Sequence, residues 1–243
     1  MSTSVKEHYD RLLARHYTWM FGDPETVIKR TEQWFEDHGL RAQGARRALD
    51  LGCGSGFQSI ALARLGYAVD ALDFCQPLVE ELRMRARGLP VIAQNMDIRH
   101  FDMAGLRDFD LIVCMGDTLV HLESREEVRK LLGDCAHCLK SGGRLVLGFR
   151  DMTQALEGPA RFVPVRSGTD VVFTCFLEYE PETVHVYDVI HTRYENEWTM
   201  HVSDYRKLRL DPQCVAGQAQ EVGFTLDKTE RDHGFVHIIA TRQ

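Results

Sequence analysis

The chain has 243 residues, 44% hydrophobic and 27% charged, with a formal net charge of −7. That is enough apolar material for one sizeable core, and the acidic balance argues against non-specific binding to nucleic acid or anionic membranes. No apolar run approaches the ~20 residues a bilayer span needs, Met1–Glu7 shows no signal-peptide core, and seven scattered cysteines point to a reducing cytoplasm rather than a disulfide scaffold.

In chain order, Tyr9, Leu12, Leu13, His16 and Tyr17 recur at helical spacing. They read as an amphipathic helix capping a core, or as a lid whose aromatics, Tyr9, Tyr17 and Trp19, close over a ligand. Asp23-Pro24-Glu25 starts a second helix that carries Val27, Ile28, Thr31, Trp34 and Phe35 on one face and stops near Gly39. Strands and helices then alternate. Strands are predicted at 47–51, 68–73, 91–94, 109–115 and 144–149, and helices at 57–65, 78–87 and 125–139. Short apolar strands alternating with helices predict an α/β fold, a parallel sheet covered on both faces. Four Val-, Phe-, Tyr- and Thr-rich stretches follow, at 161–165, 171–179, 183–194 and 198–210, and predict an antiparallel insertion. A helix at 212–222 and a hairpin, 224–228 and 235–241, turning at Asp232-His233-Gly234, close the chain. These boundaries divide it into an N-terminal helical lid (1–40), a Rossmann-like core (41–150), the insertion on the substrate side (151–211) and a closing helix and hairpin (212–243). There is no internal repeat.

The strongest motif is Asp50-Leu51-Gly52-Cys53-Gly54-Ser55-Gly56, at the end of the first strand of the alternation. A dinucleotide fingerprint, G-x-G-x-x-G, requires glycine where Phe57 stands, or a small residue at Ser59 if it starts at Gly54. A carboxylate beside the turn repels a pyrophosphate but accepts from the α-ammonium of S-adenosylmethionine (SAM). The turn therefore favours SAM, with a nicotinamide dinucleotide as the alternative. Asp73 ends the second strand, where its two oxygens can take both ribose hydroxyls. Asp97 follows the third and can accept from the adenine amino group, with Ile98 or Met96 against the ring. Met115-Gly116-Asp117-Thr118-Leu119-Val120-His121 follows the fourth and is expected to face the transferable methyl group. Arg150, closing the fifth, can clamp a carboxylate through two parallel hydrogen bonds, or pair with Asp151. Cys135-x-x-Cys138 lies in a predicted helix without the second pair a zinc site needs, so no metal is expected.

These residues resemble the class I SAM-dependent methyltransferases over about 45–150 and 220–242. A closer likeness is to the glycine and glycine/sarcosine N-methyltransferases, carried by Tyr17-Thr18-Trp19-Met20-Phe21-Gly22-Asp23, Gly116–Leu122, Phe149-Arg150-Asp151 and Lys207-Leu208-Arg209-Leu210. The resemblance implies a seven-stranded sheet, mostly parallel with an antiparallel last strand. It also implies methyl transfer to a small carboxylate-bearing amine, with S-adenosylhomocysteine released. On this reading Tyr9, Tyr17, Trp19, Asp50, Gly52, Cys53, Gly54, Gly56, Asp73, Phe74, Asp97, Ile98, Met115 and Gly116 hold the donor. Arg150, Asp117, His121, Tyr17, Tyr187 and Tyr205 hold the acceptor, and His121 and Asp117 serve catalysis. Asp117 replaces a family asparagine, and Lys29 or Arg30 is the nearest candidate for gripping the SAM carboxylate. Transfer to a thiol or trivalent arsenic, and a non-catalytic SAM-binding subunit, are the other readings. Partners beyond a small acceptor are not expected, and the oligomeric state is not decided by the sequence.

Overall fold

The computed structural model describes residues 4–232 and 234–243; Met1–Thr3 and His233, at the tip of the predicted closing hairpin, lie outside the described residues. The N-terminal stretch is not one helix. A short α1 (Val5–His8) passes through a π-helical turn (Tyr9–Leu13) into α2 (Ala14–Phe21), which stops at Gly22 with φ 100°. Asp23 then caps α3 (Pro24–Asp37) by accepting from the Thr26 N–H, with proline in the first turn where its missing donor costs nothing.

The alternation follows as β1 (Arg46–Leu51), α4 (Phe57–Arg64), β2 (Tyr67–Asp73), α5 (Gln76–Arg85), β3 (Val91–Asn95), β4 (Phe109–Cys114), α6 (Arg125–Cys138) and β5 (Leu139–Arg150). α5 starts two residues earlier than predicted because Pro77 sits in its first turn. The antiparallel insertion consists of β6 (Phe162–Ser167), β7 (Val171–Tyr179), β8 (Thr183–Tyr194) and β9 (Glu197–Leu208). It is followed by α7 (Pro212–Glu221), β10 (Phe224–Asp232) and β11 (Phe235–Arg242).

The first sheet has the order β10-β11-β5-β4-β1-β2-β3. All its neighbouring pairs are parallel except the two that involve β11. This is the expected seven-stranded arrangement. Both faces are covered because the central strands send apolar side chains to each: Leu49 and Leu51 pack into one layer with Ile112, Leu132 and Phe149, and Ala48 into the other with Ile60, Leu62 and Val113. A leucine buried this fully contributes roughly 2 kcal/mol. The chain runs outward from β1 to β2 and β3, then crosses back to β4. The carboxyl end of β1 is therefore the switch point, where the loops diverge and leave a crevice.

The second sheet has the order β6-β7-β8-β9. Its inner face packs Phe173, Ile190, Leu177 and Val186 against Leu12 and Leu13 of the N-terminal segment and against Met152. His8 is completely buried there; its Nδ1 lies 2.9 Å from Ser203 Oγ, its Nε2 2.9 Å from Asp188 Oδ2, and its ring stacks on Tyr205 at 4.3 Å. The N-terminal segment thus bridges the insertion and the crevice.

Candidate active site

A cavity of about 440 Å³ opens at the switch point. One end is lined by Gly52, Gly54, Asp73, Phe74, Asp97, Ile98 and Gly116, and the other by Val5, Thr118, His121, Leu122, Lys207 and Leu208, with Tyr9 and Tyr17 between the N-terminal segment and the turns. The turns of β1, β2 and β3 and the loop after β4 therefore meet, as the order of the motifs predicts.

The glycine turn is shaped by packing as much as by access. A Cβ on Gly52 would stand 2.3 Å from Thr118, one on Gly54 2.9 Å from the Tyr17 hydroxyl, and one on Gly56 2.1 Å from Leu82. Gly56, at φ 92°, lets α4 dock on α5 and does not line the cavity. Tyr17 lies over Gly54, and the Thr18 hydroxyl ties the same segment to α5 by donating to Glu81 at 2.7 Å. Burial, together with the nearby Asp73 carboxyl, pushes the Tyr9 and Tyr17 hydroxyls well above the usual phenol range, so both remain neutral donors.

Asp73 accepts from the Gly54 N–H and the Cys75 N–H, both at 2.8 Å, which fixes its carboxylate at the cavity wall. Burial raises its pKa against those two hydrogen bonds. Asp97 caps the short 3₁₀ turn after β3 by accepting from the Arg99 N–H at 2.9 Å. Burial works to raise its carboxyl, but the Arg99 guanidinium, 2.7 Å away, holds it below the usual range.

Asp50 is placed differently from the expectation. Its carboxyl is buried and accepts from Ser59 Oγ at 2.5 Å, inside α4 rather than in the cavity. Burial pushes its pKa up to about 7 against the Ser59 hydrogen bond, so it is no standing anion for an ammonium group. Cys53 and Met115 are likewise buried beside the turns without lining the cavity. Trp19 packs in the cluster of Leu12, Leu13 and Phe173, with the Arg166 guanidinium 5.2 Å over its ring, and also stays outside. Lys29 and Arg30 are exposed on α3, Lys29 facing Glu25, and neither lines the cavity.

The acceptor end departs furthest from the sequence reading. Arg150 pairs in register with Phe235 of β11, and its guanidinium lies 4.9 Å over that ring at the surface, outside the cavity. What Arg150 contributes is its backbone N–H, which donates to Asp117 Oδ1 at 2.9 Å. Asp117 Oδ2 pairs with Lys207 Nζ from β9. Burial would raise the Asp117 carboxyl; the Lys207 charge and hydrogen bond, with His121 and the Arg150 N–H, hold it below the ordinary range instead. Asp117, at φ 77°, thus has a partner within the protein on each carboxylate oxygen and does not line the cavity. Tyr187 pairs with Asp204, which puts it on the outer face of the second sheet, where its hydroxyl donates to Glu178 at 2.8 Å. The period of two on a strand, which the composition of β8 conceals, decides this. Tyr205 faces inward but is stacked on His8 and lies 5.5 Å from the His121 ring, behind the cavity wall.

His121 does line the cavity, and its buried Nδ1 has no hydrogen-bond partner among the described residues. Burial and then the neighbouring Lys207 charge push its pKa down to about 3. The ring is neutral at physiological pH and a weak base, so hydrogen bonding is the role open to it. The residue missed at this end is Lys207. Its segment carried part of the family resemblance, but nothing local showed that it reaches Asp117, 90 positions away.

Among the described residues no group of three or more His, Cys, Asp or Glu is arranged to hold a metal, and no helix is long and apolar enough to cross a membrane. The residues at the first end fit SAM. The Asp73 carboxylate has lone pairs left for ribose hydroxyls, Gly54 lacks a Cβ, and Phe74 and Ile98 give apolar walls beside Asp97.

Residues 48–143 match the family model described as a methyltransferase domain. A glycine/sarcosine N-methyltransferase of Parasynechococcus marenigrum is 30% identical over 149 residues, covering 60% of this chain and 51% of that protein. A mitochondrial ubiquinone biosynthesis O-methyltransferase of Schizosaccharomyces pombe is 33% identical over 155 residues, covering 60% of this chain and 55% of that protein. The chain thus spans about half the length of these relatives. The solved structure of the CcbJ methyltransferase from Streptomyces caelestis superposes with a TM-score of 0.80 at 19% identity, over 97% of this chain and 98% of that one, so the shared fold includes the insertion. By sheet order, switch-point turns and sequence match, the chain is similar to SAM-dependent methyltransferases, with a glycine/sarcosine N-methyltransferase among the relatives it resembles.

Proposed function

We propose that the chain is an enzyme that transfers the methyl group of SAM to the nitrogen of a small, amino-acid-like amine. The observation that carries this reading is the single cavity joining Asp73 and Asp97 to His121 and Lys207. The N-methyltransferase among its relatives supports nitrogen as the acceptor atom.

When bound, SAM supplies an electrophilic methyl group on a sulfonium, which needs little help to leave. The protein's task is to hold a lone pair in line with it at near-attack distance and to keep water out. Asp73 and Asp97 take the ribose and adenine ends, and Phe74 and Ile98 pack beside them. Tyr9 and Tyr17 close the cavity from the N-terminal segment. His121, neutral, orients the acceptor through a hydrogen bond at a ring nitrogen. Lys207, whose ammonium has donors beyond the one given to Asp117, meets the acceptor's carboxylate in the role the sequence suggested for Arg150. Among the described residues at this end, Asp117 is paired with Lys207, and Glu123, which also lines the cavity, with Arg99, so neither carboxylate stands ready to take the acceptor's proton. The amine must therefore enter as the free base. Turnover is expected to rise with pH toward the acceptor's own pKa, with no inflection from His121.

The test is incubation of the protein with SAM and separate pools of small carboxylated amines, hydroxylated aromatics and thiols, following adenosylhomocysteine release. Turnover with the amines is the expected result. Tight SAM binding with no turnover in any pool overturns the enzyme reading. Turnover confined to the hydroxyl pool favours transfer to oxygen, a second reading that the O-methyltransferase relative supports.

A further inference from the structure

The inner face of the second sheet carries a polar row between two others. Cys175 of β7, Asp188 of β8 and Ser203 of β9 pair in register across three strands. On one side of them stand Phe173 and Ile190, and on the other Leu177, Val186 and Tyr205. Asp188 is buried, and its Oδ1 accepts from the Cys175 thiol at 2.9 Å. The N-terminal segment sends His8 to this row, while Lys6, Glu7, Asp10 and Arg11 are exposed. The His8 Nδ1 is hydrogen-bonded to Ser203 Oγ, and its Nε2 faces Asp188 Oδ2 at 2.9 Å, a close contact that is not aligned as a hydrogen bond. Leu12 and Leu13 pack with Phe173 and Ile190, and Val5 with Leu177, Val186 and Tyr205. Val5 and Lys6 also line the cavity, and the Tyr9 ring stands edge-on to Phe74 at 5.5 Å and to His121 at 5.9 Å. His8, Cys175, Asp188 and Ser203 lie outside the cavity, and methyl transfer as described above does not use them.

We propose that His8 is a positioning residue: with Asp188 and Ser203 it fixes the register of the N-terminal segment on the second sheet, and so holds Val5, Lys6 and Tyr9 in place as a wall of the acceptor end. The proposal rests on the reading of that end as the acceptor's. Three observations support it. The first is the chemistry of the row. Apolar contacts tolerate a slide of the segment, whereas a slide of one residue takes His8 off the row and leaves Asp188 buried with a thiol alone, which is costly. Fixing register is the best-attested use of a buried polar pair. The second is that the segment has two anchors. The Thr18 hydroxyl ties its far end to Glu81 of α5, beside Tyr17 and Gly54, and His8 ties its near end to the second sheet. The π-helical turn, Tyr9–Leu13, lies between them. Loss of the His8 anchor therefore frees the acceptor wall and leaves Tyr17 over the glycine turn. The third is what the ring supports. His8 stacks on Tyr205, whose ring lies 5.5 Å from that of His121 and 5.7 Å from Lys207 Nζ, so one anchor backs both polar groups of the acceptor end.

Hydrogen exchange on the full chain tests the proposal without an acceptor. In His8→Ala the backbone amides of residues 8–13 are expected to exchange about tenfold faster than in wild type, while those of 52–56 and 73–75 keep their rates. SAM affinity by calorimetry is expected to stay within about twofold, because Tyr17 keeps its own anchor. The KM for whichever carboxylated amine is turned over fastest is expected to rise about tenfold, with kcat changed by less than about threefold. His8→Gln, whose amide both donates and accepts, is expected to recover most of the KM. The double variant His8→Ala/Asp188→Asn, which leaves no lone buried carboxylate, is expected to show the His8→Ala pattern, and decides the matter if His8→Ala does not fold. Leu12→Ala, beside the polar row, is expected to lower the unfolding midpoint without separating KM from SAM affinity. Exchange at 8–13 that stays at the wild-type rate overturns the proposal. So does a loss of SAM affinity as large as the rise in KM, or a Leu12→Ala protein with the same separation. A lack of turnover with every amine overturns the proposed function instead, and the exchange rates still decide the role of His8.

Discussion

The two ends of the cavity are built in different ways. The donor end is made of short-range parts. Gly52, Gly54, Asp73 and Asp97 stand just past three neighbouring parallel strands, and the hydrogen bonds that fix them run within or between adjacent turns. The acceptor end is made of long-range parts. Asp117 follows β4 and takes the Arg150 N–H from the end of the neighbouring β5, but Lys207 comes from β9 and reaches Asp117 only when the insertion docks on the first sheet. The donor end can therefore form with the core alone, whereas the acceptor end depends on a buried ion pair between two sheets.

The sharpest way to break that contrast is Lys207→Met. It leaves the Asp117 carboxylate buried and unpaired, a loss of about 3–5 kcal/mol, or roughly 10 °C in unfolding midpoint for a chain of this size. SAM affinity is expected to stay within about twofold of wild type. Adding Asp117→Asn should recover part of the stability, because no lone charge then remains. A Lys207→Met protein as stable as wild type means the pair is not what holds the second sheet in place.

Asp73→Ala is expected to do the opposite. On the proposed function it removes hydrogen bonds to the ribose hydroxyls, each worth about 1.5–3 kcal/mol with an ionised acceptor. SAM binding measured by calorimetry should weaken by about 100-fold. Unchanged affinity would put the donor elsewhere.

The two buried aspartates carry opposite pH signatures. Asp117 has a depressed pKa, so its contribution is present above the unfolded carboxylate range and is lost as pH falls below about 4. Asp50 has its pKa raised to about 7, so the unfolded chain ionises first and stability falls as pH rises between the ordinary carboxylate value and about 7. Asp50→Asn should thus gain stability relative to wild type at pH 8 and little at pH 4, whereas Asp117→Asn should lose stability at pH 7 and little at pH 3. Thermal melts across this range check both, and parallel profiles for the two variants overturn the assignment.

The smallest effect is expected for Arg150→Ala. Its guanidinium lies on Phe235 at the surface, and the N–H that Asp117 uses is kept. SAM affinity and the KM for a carboxylated amine should both change by less than about threefold. A large rise in KM would return Arg150 to the acceptor's carboxylate and remove the need for Lys207 there.

How far the sequence could be read follows the same division. Asp73 and Asp97 were legible because each stands directly after an apolar strand, and a parallel sheet delivers every strand's carboxyl end to one edge. Asp50 was legible as important but not as placed: facing the cavity and facing Ser59 differ by a side-chain rotation that no spacing records. Tyr187 and Tyr205 show the limit within a strand. Both sit in aromatic, β-branched stretches, and only the pairing register puts one outside and the other against His8.

The sequence by itself determined the alternating core, the antiparallel insertion, the closing hairpin and the donor turns, because periodicity, capping and glycine placement are local and act within a few residues. Tertiary structure alone decided that Arg150 leaves the cavity, that Lys207 enters it, and that burial holds His121 neutral well below the ordinary histidine range. Each of these depends on which surfaces meet across long separations in the chain, through desolvation and pairing that exist only once two sheets and the N-terminal segment have docked.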